Sequence, residues 1–448
     1  MDVTLLARIQ FAVTAGFHFL YPPLSIGLGI LLIILEYQYI RTKDKMWENL
    51  TRFWVQIFAL TFAAGVATGV VMEFEFGTNW EKYSRFVGDI FGSPLAAEGV
   101  FAFFLESTFL GVLVFGWNRV SPKTHFVSTI LVAFGAHLSA LWILIANSWQ
   151  QTPAGYHIVN EGGFMRAEIT NFWAAAFNPS TVDRLTHTII AAWLTGALLF
   201  MSINAYYILK NKHLKMAIPS MKIATVVIII ASLLQLFTGH QSSRHLAINQ
   251  PAKLAAFEGH WNTKPADMYI FGCVNQKQKV TSGIKIPGML SFLVYNDVSK
   301  PVKGLEEFEP DIPPVNLTFQ TYHFMVAIGM LLILYALYSA IVWGKFQFHK
   351  PKWYLKLSLI MFIFPTLGNQ LGWISAEVGR QPWIVYGLLR TKDAVSTVVS
   401  SGEVLFSLIL FTLLYLALLI LFIYLMVKKI KQGPDELQEF VPETIENN

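Results

Sequence analysis

Pro94-Leu-Ala-Ala-Glu-Gly-Val-Phe-Ala-Phe-Phe-Leu-Glu-Ser-Thr-Phe-Leu-Gly-Val-Leu-Val-Phe-Gly-Trp117 is long and apolar enough to cross a bilayer. It nevertheless carries two carboxylates, Glu98 and Glu106. A carboxylate in hydrocarbon is costly and normally faces the bundle interior, a partner or a water path. In an ideal α-helix the two lie roughly 12 Å apart along the axis and about 80° apart around it. That offset suits a proton relay, or an acid beside a charged cofactor. The plainer account is a pair of acids neutralised by structural partners, and two such residues on one span weigh against it.

The surrounding composition repeats the membrane signal. Of 448 residues, 54% are hydrophobic and only 14% charged, which is too apolar for one soluble domain. The formal charge of +5 decides little, because loop position matters more than the sum. With one cysteine, Cys273, the chain has no intramolecular disulfide and no cysteine metal cluster. The start, with Asp2 and no basic cluster, reads as the beginning of the first span and not as a cleaved leader. No repeat or low-complexity segment stands out.

Apolar run length gives an all-α integral membrane protein of about nine transmembrane helices. They are expected near 14–39, 53–73, 94–117, 126–146, 179–209, 216–237, 317–343, 354–376 and 403–427. Residues 1–237 then hold helices one to six, 238–316 form the single long polar loop, 317–430 hold helices seven to nine, and 431–448 are a tail. Pro22-Pro23 and Pro365 should kink or break their helices. One set of loops and helix ends carries 17 basic residues, Arg41 to Lys45 and Lys428 to Lys431 among them, and the other carries eight. The first set is therefore expected in the cytoplasm, with the N-terminus outside and the C-terminus inside.

That orientation places the remaining polar residues. His187 lies eight residues after Pro179 and Met325 eight residues after Leu317, on helices running the same way. Facing each other at one depth, they would hold a haem iron from both sides in a low-spin centre whose potential the thioether raises. A lone Met is usually core filler, and many residues share that depth. His18, Glu98 and Glu377 gather towards the same outer face, with Arg380 as the nearby cation suited to carboxylate binding. Glu106 and Ser139 lie deeper, as a ladder for cytoplasmic protons. In the long loop, Lys253 and Glu258 supply a cation and an acid of the kind a quinol head group needs on oxidation. A solvated loop helix is the plainer account of that pair.

These residues sit in longer motifs: Gln10-Phe-Ala-Val-Thr-Ala-Gly-Phe-His18, Met72-Glu-Phe-Glu-Phe-Gly-Thr-Asn-Trp80, Glu98-Gly-Val-Phe-Ala-Phe-Phe-Leu-Glu-Ser107 and Gly379-Arg-Gln-Pro-Trp383. Over nearly its whole length the chain resembles subunit I of the cytochrome bd quinol oxidases, bacterial terminal oxidases that reduce oxygen to water. The resemblance implies two haems b, one low-spin and one high-spin, and a haem d. It implies His187 and Met325 as ligands of the low-spin haem b, and His18 and Glu377 as axial ligands of the other two, without assigning which holds which. It places Glu98, Glu106 and Ser139 on a proton route. Trp373, Arg380, Gln381 and Trp383 fall in the haem environment, and Lys253 and Glu258 in the quinol-binding outer loop, the Q-loop. It further implies a multi-pass protein of the bacterial cell membrane that takes quinol and O2 in contact with lipid. A second large membrane subunit and a small single-span one are the implied partners.

Two departures from the family pattern stand out. His323, two residues before Met325, replaces an arginine of well-studied relatives, which bears on the low-spin potential. The loop after Glu258 lacks the long insertion of enterobacterial forms, so this is the short Q-loop type, with menaquinol and ubiquinol both open as substrates. The competing readings are a proton-coupled transporter, which would favour internal repeats and broken midplane helices, and a haem b electron carrier that does not reduce oxygen.

Overall fold

The computed structural model describes residues 2–348 and 350–435. The expected tail thus lies, from residue 436 onward, outside the described residues. Among the described residues nine helices are long and apolar enough to span a membrane. In order, spans one to nine are Val3–Thr42, Lys45–Thr78, Glu81–Phe115, Pro122–Gln151, Thr181–Leu209, Leu214–Asn249, Val315–Phe346, Lys352–Val378 and Ser401–Gln432.

Prolines divide several of them. Span one is two helices, Val3–His18 and Pro22–Thr42. Proline starts the second readily but has no amide with which to continue the first. Span eight restarts at Ile363 after Lys352–Ile360, because Pro365 cannot return a hydrogen bond to the carbonyl four residues earlier, at Met361. Span three starts at Glu81, well before the expected Pro94. It contains Pro94 in its helix Glu81–Ala97, then a π-helical turn Glu98–Phe103, then Phe104–Phe115. The wider turn lies between Glu98 and Glu106, so the offset expected of an ideal helix does not hold.

Span five is the axis of the bundle and span nine its edge: 78% of the apolar window is buried in the first and 11% in the second. Spans one and five cross with their backbones touching. A Cβ on Gly27 would lie 2.3 Å from the Ala192 carbonyl oxygen and 2.8 Å from Gly196 Cα, which leaves room only for glycine at the crossing. The main apolar core fills the half of the bundle nearer the turns joining spans one to two, five to six and seven to eight. Leu35, Phe58, Phe200, Met221, Leu332 and Tyr354 belong to it.

The opposite end carries the folded loops. A hairpin, Tyr156–Glu161 with Phe164–Ile169, joins spans four and five. Span six runs on to Asn249, past the expected end at Phe237, and its polar extension becomes a wall of the site. The Q-loop proper is short and ordered. Helix Pro251–Glu258 is followed by the hairpin Met268–Asn275 with Val280–Ile286 and by helix Met289–Tyr295. Its acidic tail is pinned by Arg390, whose guanidinium lies 2.6 Å from Asp311.

Candidate functional site

A cavity of about 1710 Å³ occupies the loop-rich half of the bundle. Pockets for a single small ligand run to roughly 300–1,000 Å³, so this space holds more than one. Its wall brings together His18, Glu98, Glu106, Ser139, His187, Lys253, Glu258, Met325, Trp373, Glu377, Arg380 and Gln381, drawn from six spans and the loops. Two expected members are turned away. His323 points to the Q-loop: its Nε2 is 2.9 Å from the Tyr269 carbonyl, its Nδ1 2.9 Å from the Phe319 carbonyl, and its ring is stacked on Phe319. Trp383 lies under the Arg390 guanidinium at 4.7 Å, in a short strand, and is not part of the wall. Each is engaged by a partner that a loop supplies, Tyr269 for His323 and Arg390 for Trp383.

His18 and His187 each rest on a threonine of the next span. His18 Nδ1 is 3.1 Å from Thr68 Oγ1 and His187 Nδ1 is 3.1 Å from Thr238 Oγ1. The Gln235 amide nitrogen lies 2.9 Å from His187 Nε2. Met325 lies against span eight, where a Cβ on Gly372 would fall 2.8 Å from its sulfur.

Glu377 sits in a basic, amide-rich cradle. It accepts from Arg380, from Asn147 at 3.2 Å and from Gln151 at 3.3 Å, with Arg184 at 3.8 Å. Arg380 also donates to Gln150 at 2.6 Å, and Arg184 donates to Asn147. The Nε atoms of both arginines are buried without a partner. Two guanidinium groups at the cavity wall, each with an unused N–H, fit an anionic group in the cavity. Haem carboxylate side chains have that chemistry, and single ligands such as His18, His187, Met325 and Glu377 are what a tetrapyrrole iron requires. Among the described residues no three His, Cys, Asp or Glu side chains converge as they would on a bare metal ion.

Lys253 and Glu258 do not form a pair. Five residues apart on one short helix, they are separated by about 140° around its axis. Lys253 is buried and donates to Gln151, beside the Glu377 cradle. Burial, with Arg184 and Arg380 nearby, lowers its pKa well below the usual lysine value. Glu258 faces the Tyr322 hydroxyl, and burial raises its pKa to about 8. Its Oε2 is buried without a hydrogen-bond partner. The Phe257 ring stacks on Tyr322 at 4.4 Å and fixes this corner.

Glu98 and Glu106 part in the same way. Ser139 donates to Glu98 Oε1 at 2.9 Å, whereas Glu106 is packed against Gly135, where a Cβ would lie 2.6 Å from its Cγ. Sequence reasoning gave no role to Arg184, Asn147, Gln151, Tyr322 or Glu73, all of which bear on the site, nor to Glu75, which is buried and accepts from Thr14 at 2.5 Å. Glu73 and Glu75 lay in a motif already noted; Arg184 and Tyr322 carried no signal of their own.

Residues 6–434 match the family model described as cytochrome bd terminal oxidase subunit I. The chain is 40% identical to cytochrome bd ubiquinol oxidase subunit 1 of Bacillus subtilis (strain 168), over 97% of this chain and 95% of that one. It is 36% identical to cytochrome bd-II ubiquinol oxidase subunit 1 of Escherichia coli (strain K12), over 98% and 99%. A putative cytochrome bd menaquinol oxidase subunit I of B. subtilis is 33% identical, over 97% and 98%. Among solved structures, a bd oxidase from Geobacillus thermodenitrificans superposes with a TM-score of 0.90 at 29% identity, covering 97% of this chain and 99% of that one.

Proposed function

The chain belongs to the cytochrome bd terminal oxidase subunit I family, and from that premise we propose how its own residues divide the work. It is a multi-pass bacterial membrane protein and the haem-bearing subunit of a quinol:oxygen oxidoreductase, with a subunit II as partner. The single observation that carries the residue-level reading is the convergence of four ligand candidates, two acids and two loop residues on one cavity.

In this reading His187 and Met325 hold a low-spin haem b, and His18 and Glu377 hold the high-spin haem b and haem d. When bound, these haems supply the one-electron steps and the oxygen chemistry. The residues around them orient, neutralise and deliver protons. Arg184 and Arg380 offer N–H groups to anionic substituents and hold the Glu377 carboxylate in place. Glu106 receives protons from the cytoplasmic side and passes them towards Glu98, which Ser139 orients. Glu258, with a free buried oxygen, accepts a proton from quinol. Lys253, on the other side of the same helix, anchors it to the Glu377 cradle and so fixes the quinol-binding corner.

The N-terminus then lies outside and the C-terminus in the cytoplasm, so that protons drawn from the cytoplasm are consumed at the oxygen site near the outer face while quinol gives up its protons outside, and this charge separation builds a proton motive force. A small single-span subunit completes the complex, and either menaquinol or ubiquinol serves as donor. The visible spectrum of the purified complex tests the whole reading. An oxidase of this kind shows low-spin and high-spin b bands and a far-red chlorin band. Only low-spin b bands would reduce it to a carrier, and no haem bands would leave a transporter.

A further inference from the structure

Spans one and two form a helical hairpin, and spans five and six form another. Each places a histidine on its first helix against a Thr-Gly dipeptide on its second. In the first hairpin, Thr68 Oγ1 is 3.1 Å from His18 Nδ1, and a Cβ on Gly69 would lie 3.2 Å from His18 Cε1. In the second, Thr238 Oγ1 is 3.1 Å from His187 Nδ1, and a Cβ on Gly239 would lie 3.3 Å from His187 Cε1. The sequence separations are 50 and 51 residues. The two histidine-bearing spans cross at Gly27 and Gly196, each nine residues beyond its histidine. Nothing in the surrounding sequence announces this correspondence, because the flanking residues differ.

The direction of the hydrogen bonds identifies the ring nitrogen that carries the lone pair. A threonine hydroxyl has one hydrogen. That of Thr68 points to the carbonyls of Ala64 and Gly65, each at 3.0 Å, so its oxygen accepts from His18 Nδ1–H. That of Thr238 points to the Gln235 carbonyl at 3.3 Å, so its oxygen accepts from His187 Nδ1–H. The Gln235 amide nitrogen lies 3.3 Å from His187 Nδ1 and closer, 2.9 Å, to Nε2, where it donates to the lone pair until an iron takes its place. A threonine bonded back to its own helix is common and by itself only structural. Here the back-bond aims the remaining lone pairs at an imidazole on another helix, twice. A ligating histidine almost always gives its second N–H to such an acceptor, which fixes tautomer and ring plane and raises the basicity of the ligand.

We infer that Thr68 and Thr238 are positioning residues, each presenting Nε2 of its histidine to an iron, with Gly69 and Gly239 making room for the ring. This rests on the reading of His18 and His187 as ligands. The test is the haem content and optical redox titration of the purified complex carrying Thr68→Val or Thr238→Val, which need no turnover. Thr238→Val is expected to weaken retention of the low-spin haem about 10–100-fold and to raise its potential, because an imidazole without an acceptor is a poorer donor to ferric iron. The centre at His18 stays unchanged and serves as the internal control. Thr68→Val does the converse, and Thr68→Ser and Thr238→Ser restore wild-type behaviour. Valine variants with unaltered centres, equal disturbance of both centres, or serine variants as damaged as the valine ones would each overturn the inference. His187→Ala separates the two levels. If it keeps the low-spin spectrum, the ligand reading itself fails; if it loses that spectrum while Thr238→Val is silent, only the positioning role fails.

Discussion

The Ser139 hydroxyl donates to Glu98 Oε1 across 2.9 Å, tying the middle of span four to the π-helical turn of span three. The sequence places Ser139 with Glu106 as the deeper step. The geometry separates the two acids: one is oriented by a hydroxyl beside the cavity, and the other is packed against Gly135. They should therefore fail differently. Glu106→Gln keeps haem content but slows proton-coupled reoxidation about 10²-fold or more, the scale of a lost proton-transfer group. Glu98→Gln and, more mildly, Ser139→Ala alter the high-spin spectrum instead. Flash-induced membrane potential in vesicles, read beside haem content, checks this. Normal charge movement in Glu106→Gln would exclude the route.

Met325 is held against Gly372 on span eight. If its thioether holds a haem iron as proposed, it would raise the potential of that haem and keep it low-spin. Met325→Leu should shift that centre towards high spin and leave the other two in place. An unchanged low-spin band in the variant would refute the ligation.

Burial raises the Glu258 pKa to about 8, so near neutral pH this carboxyl is mostly protonated. Its base form grows from about a tenth at pH 7 to about half at pH 8. Quinol-driven oxygen uptake should rise with pH across that interval and level off above it. Glu258→Gln removes the rise and most of the rate, and Lys253→Ala weakens quinol turnover without moving the pH profile. Oxygen uptake driven by ascorbate with tetramethyl-p-phenylenediamine persists in both. Equal loss with both donors would mean that the loop only holds the fold.

At the crossing of spans one and five, Gly27→Ala puts a methyl 2.3 Å from the Ala192 carbonyl oxygen. Backbone is all that can yield there, so the cost should be about 1–3 kcal/mol, the scale of overpacking. The loss reads as a lower unfolding temperature of the purified complex. Gly111→Ala, off the cavity wall and with nothing within 4 Å of an added Cβ, is the control.

By itself the sequence determined the membrane class, the nine spans and most of the ligand candidates, because apolar run length and isolated polar residues within it are local properties. Pro22 and Pro365 told where helices break for the same reason: a missing amide acts on its own turn. Other features depended on which helix lies opposite. The partners of His323 and Trp383, the Tyr269 carbonyl of the Q-loop hairpin and the Arg390 guanidinium, are not legible from their place in the chain. Lys253 and Glu258 read as a pair, and a 140° turn of helix sent them to different partners. The cradle around Glu377 and the two Thr-Gly rests under His18 and His187 join residues tens to hundreds of positions apart. No local pattern encodes those contacts; only the packing of spans one, two, four, five, six and eight brings them within hydrogen-bond reach.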